Sequence, residues 1–160
     1  MQINRLDELL KNTVALFPDK RALMCPAEGD VTYRELFSRA QMISAYLGEA
    51  AIVKNERVGV YLPKTSVSVA SIFAVLMSDG CYVPADISAP AARCAYIFTD
   101  CNVRLILAQS DAVSSLLASL ATQNVFPMKI IDIPIGTTNE PGLQLVILET
   151  VVPEYEEVGS

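Results

Sequence analysis

The chain has 160 residues, 52% of them hydrophobic and 19% charged, with a formal net charge of −6. That length and composition suit one domain with a real core and exclude a disordered chain. The longest apolar stretch, Ala121 to Ile135, is broken by Gln123, Asn124 and Lys129, so no membrane span is expected. No basic run exceeds Lys20-Arg21, which leaves a nucleic-acid groove without electrostatic support.

The opening, Met1-Gln2-Ile3-Asn4-Arg5-Leu6-Asp7-Glu8, carries charge where a signal peptide needs an apolar stretch, which points to a soluble, cytoplasmic protein. Leu6, Leu9, Leu10, Val14 and Phe17 then form a helical apolar stripe ended by Pro18-Asp19. Ala22–Cys25 and Val31–Tyr33 read as short strands joined by a turn through Glu28-Gly29-Asp30. Thr32, three residues before Glu35, has the spacing of a capping box. The helix it opens shows Leu36, Ala40, Ile43 and Leu47 on one face.

Arg57–Leu62 is a buried-strand pattern closed by Pro63. Ser66 to Asp79 is a nearly all-apolar helix, so it is expected to be covered on more than one side, with Gly80 ending it in a left-handed conformation. Cys81–Val83 is the next strand, stopped by Pro84. A helix to about Asp100 follows, with Pro90 in its first turn and Ser88 as its cap. Val103–Ala108 is a strand. Ser110-Asp111 is placed to cap a helix striped by Val113, Leu116, Leu117 and Leu120. Met128–Ile133 and Leu143–Leu148 are the last strands. This alternation predicts an α/β fold with a mainly parallel, flavodoxin-like sheet flanked by helices.

From Pro134 the chain has turn residues at Gly136-Thr137-Thr138-Asn139 and an acidic end at Glu154-Tyr155-Glu156-Glu157. Residues 134–160 therefore read as an acidic connecting tail, and such charge runs are usually solvated surface.

Catalytic signals are nearly absent. Without histidine there can be no Ser-His-Asp or Cys-His arrangement. The seven glycines include no adjacent pair, and neither common glycine-rich phosphate loop occurs. Cys25, Cys81, Cys94 and Cys101 lack metal-ligand spacing and read as buried or half-buried free thiols. Two strand ends remain. Leu62-Pro63-Lys64-Thr65-Ser66 leads into a helix, where an anion could meet backbone amides, but the ordinary reading is that Thr65 or Ser66 only caps the helix and Lys64 is solvated. Asp86 could act as a catalytic carboxylate, but capping the next loop is its ordinary role. No residue is assigned a catalytic, cofactor-binding or metal-binding role.

Several segments resemble signatures of the adenylate-forming (AMP-binding, acyl-activating) superfamily. Val31-Thr32-Tyr33-Arg34-Glu35-Leu36 is similar to its L-[ST]-Y-x-E-L segment. Val75-Leu76-Met77-Ser78-Asp79-Gly80-Cys81-Tyr82-Val83-Pro84-Ala85-Asp86 is similar to L-K-A-G-x-A-Y-V-P-[LI]-D. Pro90-Ala91-Ala92-Arg93 and Tyr96-Ile97-Phe98-Thr99-Asp100-Cys101 resemble the P-x-x-R and Y-I-L-x-D-[SC] that follow. Phe17-Pro18-Asp19-Lys20-Arg21-Ala22-Leu23 and Glu56-Arg57-Val58-Gly59-Val60-Tyr61-Leu62-Pro63 resemble flanking family segments in the same order. Met77-Ser78-Asp79 departs from the usual Lys-Ala-Gly, and Ala85 replaces a common Leu or Ile.

The resemblance implies that residues 1–160 are a single N-terminal subdomain of an AMP-binding domain, most like an adenylation domain of a nonribosomal peptide synthetase. The parent would be a ligase that activates a carboxylate with ATP and Mg, then passes the acyl group to coenzyme A or a carrier protein's phosphopantetheine. The family's Ser/Thr/Gly-rich loop ending in Pro-Lys-Gly has no counterpart here, so this fragment alone is expected to be inactive and to hold no cofactor. A natural, non-catalytic binding or scaffolding domain is the alternative. The fragment's expected partner is the remainder of the adenylation enzyme, and the apolar helix predicts some self-association of the fragment.

Overall fold

A computed structural model describes residues 5–26, 29–135 and 141–149. In chain order the elements are α1 (Leu6–Leu16), β1 (Arg21–Cys25), β2 (Gly29–Thr32), α2 (Tyr33–Glu49), β3 (Arg57–Tyr61), α3 (Ser66–Met77) and β4 (Cys81–Pro84). There follow α4 (Ala91–Asp100), β5 (Leu105–Gln109), a 3₁₀ turn (Ser110–Ala112), α5 (Val113–Ala121), β6 (Pro127–Ile133) and β7 (Leu143–Leu148). The expected turn at Gly136 to Asn139 and the acidic end from Glu154 lie outside the described residues.

The main sheet has the order β4-β3-β5-β7-β6, while β1 and β2 form a separate antiparallel hairpin. β3 pairs in parallel with both β4 and β5. β7 is antiparallel to both its neighbours, so it alone in this sheet runs against the common direction. The expected mainly parallel sheet is present, and its flavodoxin-like order holds through β4-β3-β5. Beyond β5, the last described strand inserts between β5 and β6, a placement that local sequence does not encode.

The alternation of side chains across the sheet makes two cores. Leu105 and Leu107 of β5 join Val58, Val60, Leu145 and the buried faces of α2 and α3. Ile106 and Ala108 point the other way, into a core with Phe98, Leu116, Leu120 and Val146. Leu105 through Ala108 are all fully buried, which explains why β5 reads as an unbroken apolar run.

Helix boundaries show where local chemistry decides and where packing overrides it. The Thr32 side chain accepts from the Glu35 N–H at 3.2 Å, and α2 buries Leu36, Ala40, Ile43 and Leu47 as the pattern requires. At the end of α3 the left-handed residue is Asp79 (φ 59°), not Gly80. The Gly80 N–H bonds to the Val75 carbonyl at 2.9 Å and the Asp79 N–H to that of Leu76 at 3.1 Å, which makes a Schellman end. Gly80 instead permits close packing: a Cβ there would lie 3.0 Å from Val75 Cγ1 and 3.2 Å from the Glu56 carbonyl oxygen. Two caps also differ from expectation. α4 is preceded by Pro90 with no side-chain cap, because Ser88 is engaged by Asp86. Asp111 accepts from the Gln109 amide, and Ser110–Ala112 winds a 3₁₀ turn ahead of α5.

α1 is covered less than its stripe suggests. Leu10 is buried, whereas Leu6, Leu9 and Phe17 stay exposed. No described helix is long and apolar enough to cross a membrane.

Candidate functional site

Strands β3 and β4 are parallel neighbours, so their C-terminal ends, the edge where open α/β sheets place ligands, lie side by side. β3 runs into Leu62-Pro63-Lys64, and β4 into Ala85-Asp86-Ile87-Ser88. Together with Ser68 and Ile72 of α3 they line a groove of about 800 Å³. The two strand-end segments singled out in the sequence are therefore brought together, Lys64 and Asp86 on one groove.

The local hydrogen bonding assigns each candidate a structural duty. Asp86 Oδ1 accepts from the Ser88 N–H at 2.9 Å and from its hydroxyl at 2.7 Å, a turn built on the carboxylate. The Ser88 hydroxyl, then its amide, and finally the Lys64 charge hold this carboxyl below the usual range, against some burial. Asp86 is thus an ionised loop anchor with its proton affinity lowered, the wrong direction for a general base near neutral pH.

At the start of α3, Ser68 Oγ accepts from the Thr65 N–H at 3.1 Å and donates to the Thr65 carbonyl at 2.7 Å. Ser66 is fully buried and its hydroxyl accepts from the Arg39 guanidinium at 2.9 Å. The Thr65 amide and the Ser66 hydroxyl are thereby engaged within the protein. The helix entry is closed by a Thr65–Ser68 capping box, and Lys64 stays exposed.

Cys94 lies fully buried beside the Asp86 loop, and its thiol donates to the Asp86 carbonyl at 3.4 Å. Burial first, and the Asp86 charge second, push its pKa up, so it is a poor nucleophile. Cys25 and Cys101 are half-buried, as expected, but Cys81 is exposed at the free edge of the sheet. Among the described residues no three His, Cys, Asp or Glu side chains gather as a metal site. The arrangement can shape a groove and fix two loops. It offers neither an activated nucleophile nor an array of phosphate donors, so these residues do not fit ATP or Mg.

Sequence reasoning did not place Ser68, Ile72 or Ser88 at the groove. The Asp-x-Ser spacing at Asp86 was a visible signal for the turn. Ser68 and Ile72 are one helical turn apart on α3, and only the fold shows that their side faces β4.

Residues 10–143 match the family model described as AMP-binding enzyme. This chain belongs to that family. It is 33% identical over 108 residues to gramicidin S synthase 1 of Brevibacillus brevis, an alignment covering 68% of this chain and 10% of that protein. Against N-(5-amino-5-carboxypentanoyl)-L-cysteinyl-D-valine synthase of Amycolatopsis lactamdurans it is 31% identical over 140 residues, covering 86% of this chain and 4% of the synthase. Among solved structures it is similar to the Klebsiella oxytoca NpsA N-terminal subdomain bound to 3-hydroxyanthranilyl-AMSN. That pair has a TM-score of 0.65 at 20% identity, covering 72% of this chain and 29% of that one. The nonribosomal peptide synthetase FmoA3 gives a TM-score of 0.66 at 27% identity, covering 70% of this chain and 12% of that one. The fold is that of the N-terminal part of adenylate-forming enzymes. The chain spans between 2% and 10% of the length of its sequence relatives.

Proposed function

We propose that residues 1–160 form the first subdomain of an ATP-dependent, carboxylate-activating ligase. In the reaction so assigned, a substrate carboxylate oxygen attacks the α-phosphorus of ATP and pyrophosphate leaves. A thiol then attacks the resulting acyl-adenylate at its carbonyl carbon, and AMP leaves with the oxygen. The observation that carries this reading is the family match across residues 10–143.

The amino-acid-activating branch is favoured, because the sequence relatives include a gramicidin synthase and a tripeptide synthase. In that branch the acceptor is the phosphopantetheine thiol of a carrier protein. An adenylation domain artificially fused to a carrier (PCP) domain is among the structural neighbours. An anthranilate CoA ligase is another, and it keeps coenzyme A as the second acceptor to test. An intracellular setting suits an enzyme that consumes ATP.

This chain's own contribution is scaffolding. Its sheet and the paired loops at Lys64 and Asp86 support one wall of the enzyme, while ATP and Mg are held by the remainder. The alternative of a binding or scaffolding domain without catalysis draws on the absence of a glycine-rich phosphate loop in the sequence. Carboxylate-dependent ATP–pyrophosphate exchange separates the readings. The 160-residue chain should give no exchange. A longer polypeptide from the same reading frame should exchange with one amino acid or aryl acid, and an inactive one would favour scaffolding. Robust exchange by the 160 residues alone would overturn the assignment.

A further inference from the structure

α1 is lightly held on its apolar side. Leu10 is its one buried residue, Val14 is half-buried against the first core, and Leu6, Leu9 and Leu16 stay exposed. An isolated 11-residue helix is marginal in water, so α1 depends on what fastens it to α2 and α3. Its polar fastening is a clasp made by Arg5, the residue before its first turn. Arg5 Nη1 donates to Asp79 Oδ1 at 2.6 Å, and Nη2 donates to the Leu76 carbonyl at 2.6 Å. Nε and Nη2 also donate to Oδ1 and Oδ2 of Asp7 at 2.9 and 3.0 Å, a two-pronged pairing that fixes the guanidinium plane.

We propose that α1 is a strap closed by this clasp, which lifts from α2 and α3 as one unit while the rest of the fold stays intact. The Asp79 backbone needs no side chain for its own turn. Its N–H bonds to the Leu76 carbonyl at 3.1 Å, and its carbonyl accepts from the Asn55 N–H at 2.7 Å. Its φ of 59° is one that glycine takes at lower cost, so what an aspartate adds at this position is its carboxylate. Leu76 lies in the last turn of α3, where the helix dipole favours a cation. Arg5 therefore ties the start of α1 to the end of α3.

A single exposed ion pair contributes little, and the Arg5 and Asp79 side chains are 42% and 50% exposed. The clasp exceeds one pair because one guanidinium serves two carboxylates and a carbonyl. It is nevertheless screened by salt, whereas the burial of Leu10 is not. Lifting α1 gives up the clasp and the seat of Leu10. Global unfolding must also expose the fully buried Leu105 to Ala108 of β5 and Ile43 and Leu47 of α2. The local opening is thus the less costly of the two.

The test is native-state hydrogen exchange of the 160-residue chain, read amide by amide by NMR as urea is raised below the unfolding transition. The α1 amides should exchange at least about tenfold faster than those of β5, with little dependence on urea, while β5 exchange depends on it steeply. Arg5→Met should speed α1 exchange by about tenfold. Asp79→Asn keeps a residue that tolerates the left-handed backbone and should speed it by about threefold. High salt should speed α1 exchange in the wild type and have little effect in Arg5→Met. Asp79→Asn decides the matter if Arg5→Met disturbs the circular dichroism of the whole chain. Exchange of α1 only together with β5, at the same urea dependence, overturns the proposal. So does α1 exchange that neither substitution changes.

Discussion

Glu56 and Arg104, 48 residues apart in the chain, meet in a two-pronged ion pair with Nε–Oε2 at 2.7 Å and Nη2–Oε1 at 2.8 Å. The same guanidinium donates to the carbonyls of Ala50 and Ala51, just past the end of α2, at 3.2 and 3.3 Å. Glu56 also accepts from the Val53 N–H at 3.1 Å. One arginine beside β5 thus closes the α2 terminus and pins the connection into β3. Arg104→Met leaves Glu56 mostly buried without its cation. Because Arg104 keeps 23% side-chain exposure, the cost should fall below that of a fully buried pair, at about 2 kcal/mol by urea unfolding at neutral pH.

The pair also sets a pH dependence. Burial alone would push the Glu56 pKa up, but the hydrogen bonds from Arg104 and from the Val53 amide outweigh it, and the carboxyl sits below its ordinary value. A depressed folded-state pKa means that the stabilisation is complete above the ordinary glutamate value of about 4.3 and is lost as pH falls through the lower folded one. Glu56→Gln should therefore be less stable than wild type at neutral pH and approach it in acid. Unfolding curves recorded across the acid range would show the two converging, and a constant gap would refute the pair's role.

Gly59 marks the tightest packing in β3. A Cβ there would stand 2.8 Å from Phe98 Cε1 and 3.1 Å from Ile106 Cγ1. Phe98 is fully buried and meets Tyr61 edge-on at 6.3 Å between ring centroids, so its ring has little room to retreat. Gly59→Ala should cost about 1–3 kcal/mol as overpacking, and adding Phe98→Leu should recover part of it in a double-mutant cycle.

These relationships show what was legible beforehand. Thr32 and Glu35 are three residues apart, so their cap could be read directly, and the face Leu36, Ala40, Ile43 and Leu47 follows from helical periodicity. The strand Leu143–Leu148 was visible as a run of apolar residues, but its insertion between β5 and β6 depends on long-range pairing. Glu56 and Arg104 carry no mark that they are partners. Gly80 was expected to adopt the left-handed conformation because glycine does so at low cost. Its actual constraint is proximity to Val75, Ile52 and the Glu56 carbonyl, which only the tertiary structure reveals. At the candidate site, Lys64 and Asp86 were individually conspicuous, and their meeting on one groove followed from parallel pairing of β3 with β4.

Ala51 follows α2 with φ 58°, in the left-handed region. The Ile52 N–H bonds to the Leu47 carbonyl at 3.2 Å and the Ala51 N–H to that of Gly48 at 3.0 Å, so a Schellman end is built on an alanine. The conformation costs a residue with a Cβ about 1–2 kcal/mol, while glycine adds roughly 0.4–1 kcal/mol of chain entropy to the unfolded state. Ala51→Gly should then stabilise the protein by about 0.5–1 kcal/mol, read as a higher melting temperature. The backbone carbonyl that Arg104 uses is retained in that variant, which keeps the comparison clean.

The Asp86–Ser88 turn gives the sharpest test of a structural against a chemical role for that carboxylate. Its pKa is held low chiefly by the Ser88 hydroxyl, with the Ser88 amide second. Ser88→Ala removes the larger of these and keeps the amide, so the Asp86 pKa should rise toward the ordinary aspartate value without reaching it. Carboxyl-carbon NMR titration of wild type and variant reads this directly. A depressed folded-state value contributes stability above the ordinary aspartate pKa and loses it as pH falls, so the Ser88→Ala deficit should shrink in acid. In a longer polypeptide that shows exchange, Asp86→Asn keeps an acceptor oxygen for the Ser88 N–H and hydroxyl but removes the charge. Exchange activity should survive that change if Asp86 anchors a loop. Its abolition, with folding intact, would give the Asp86 carboxylate a chemical role instead.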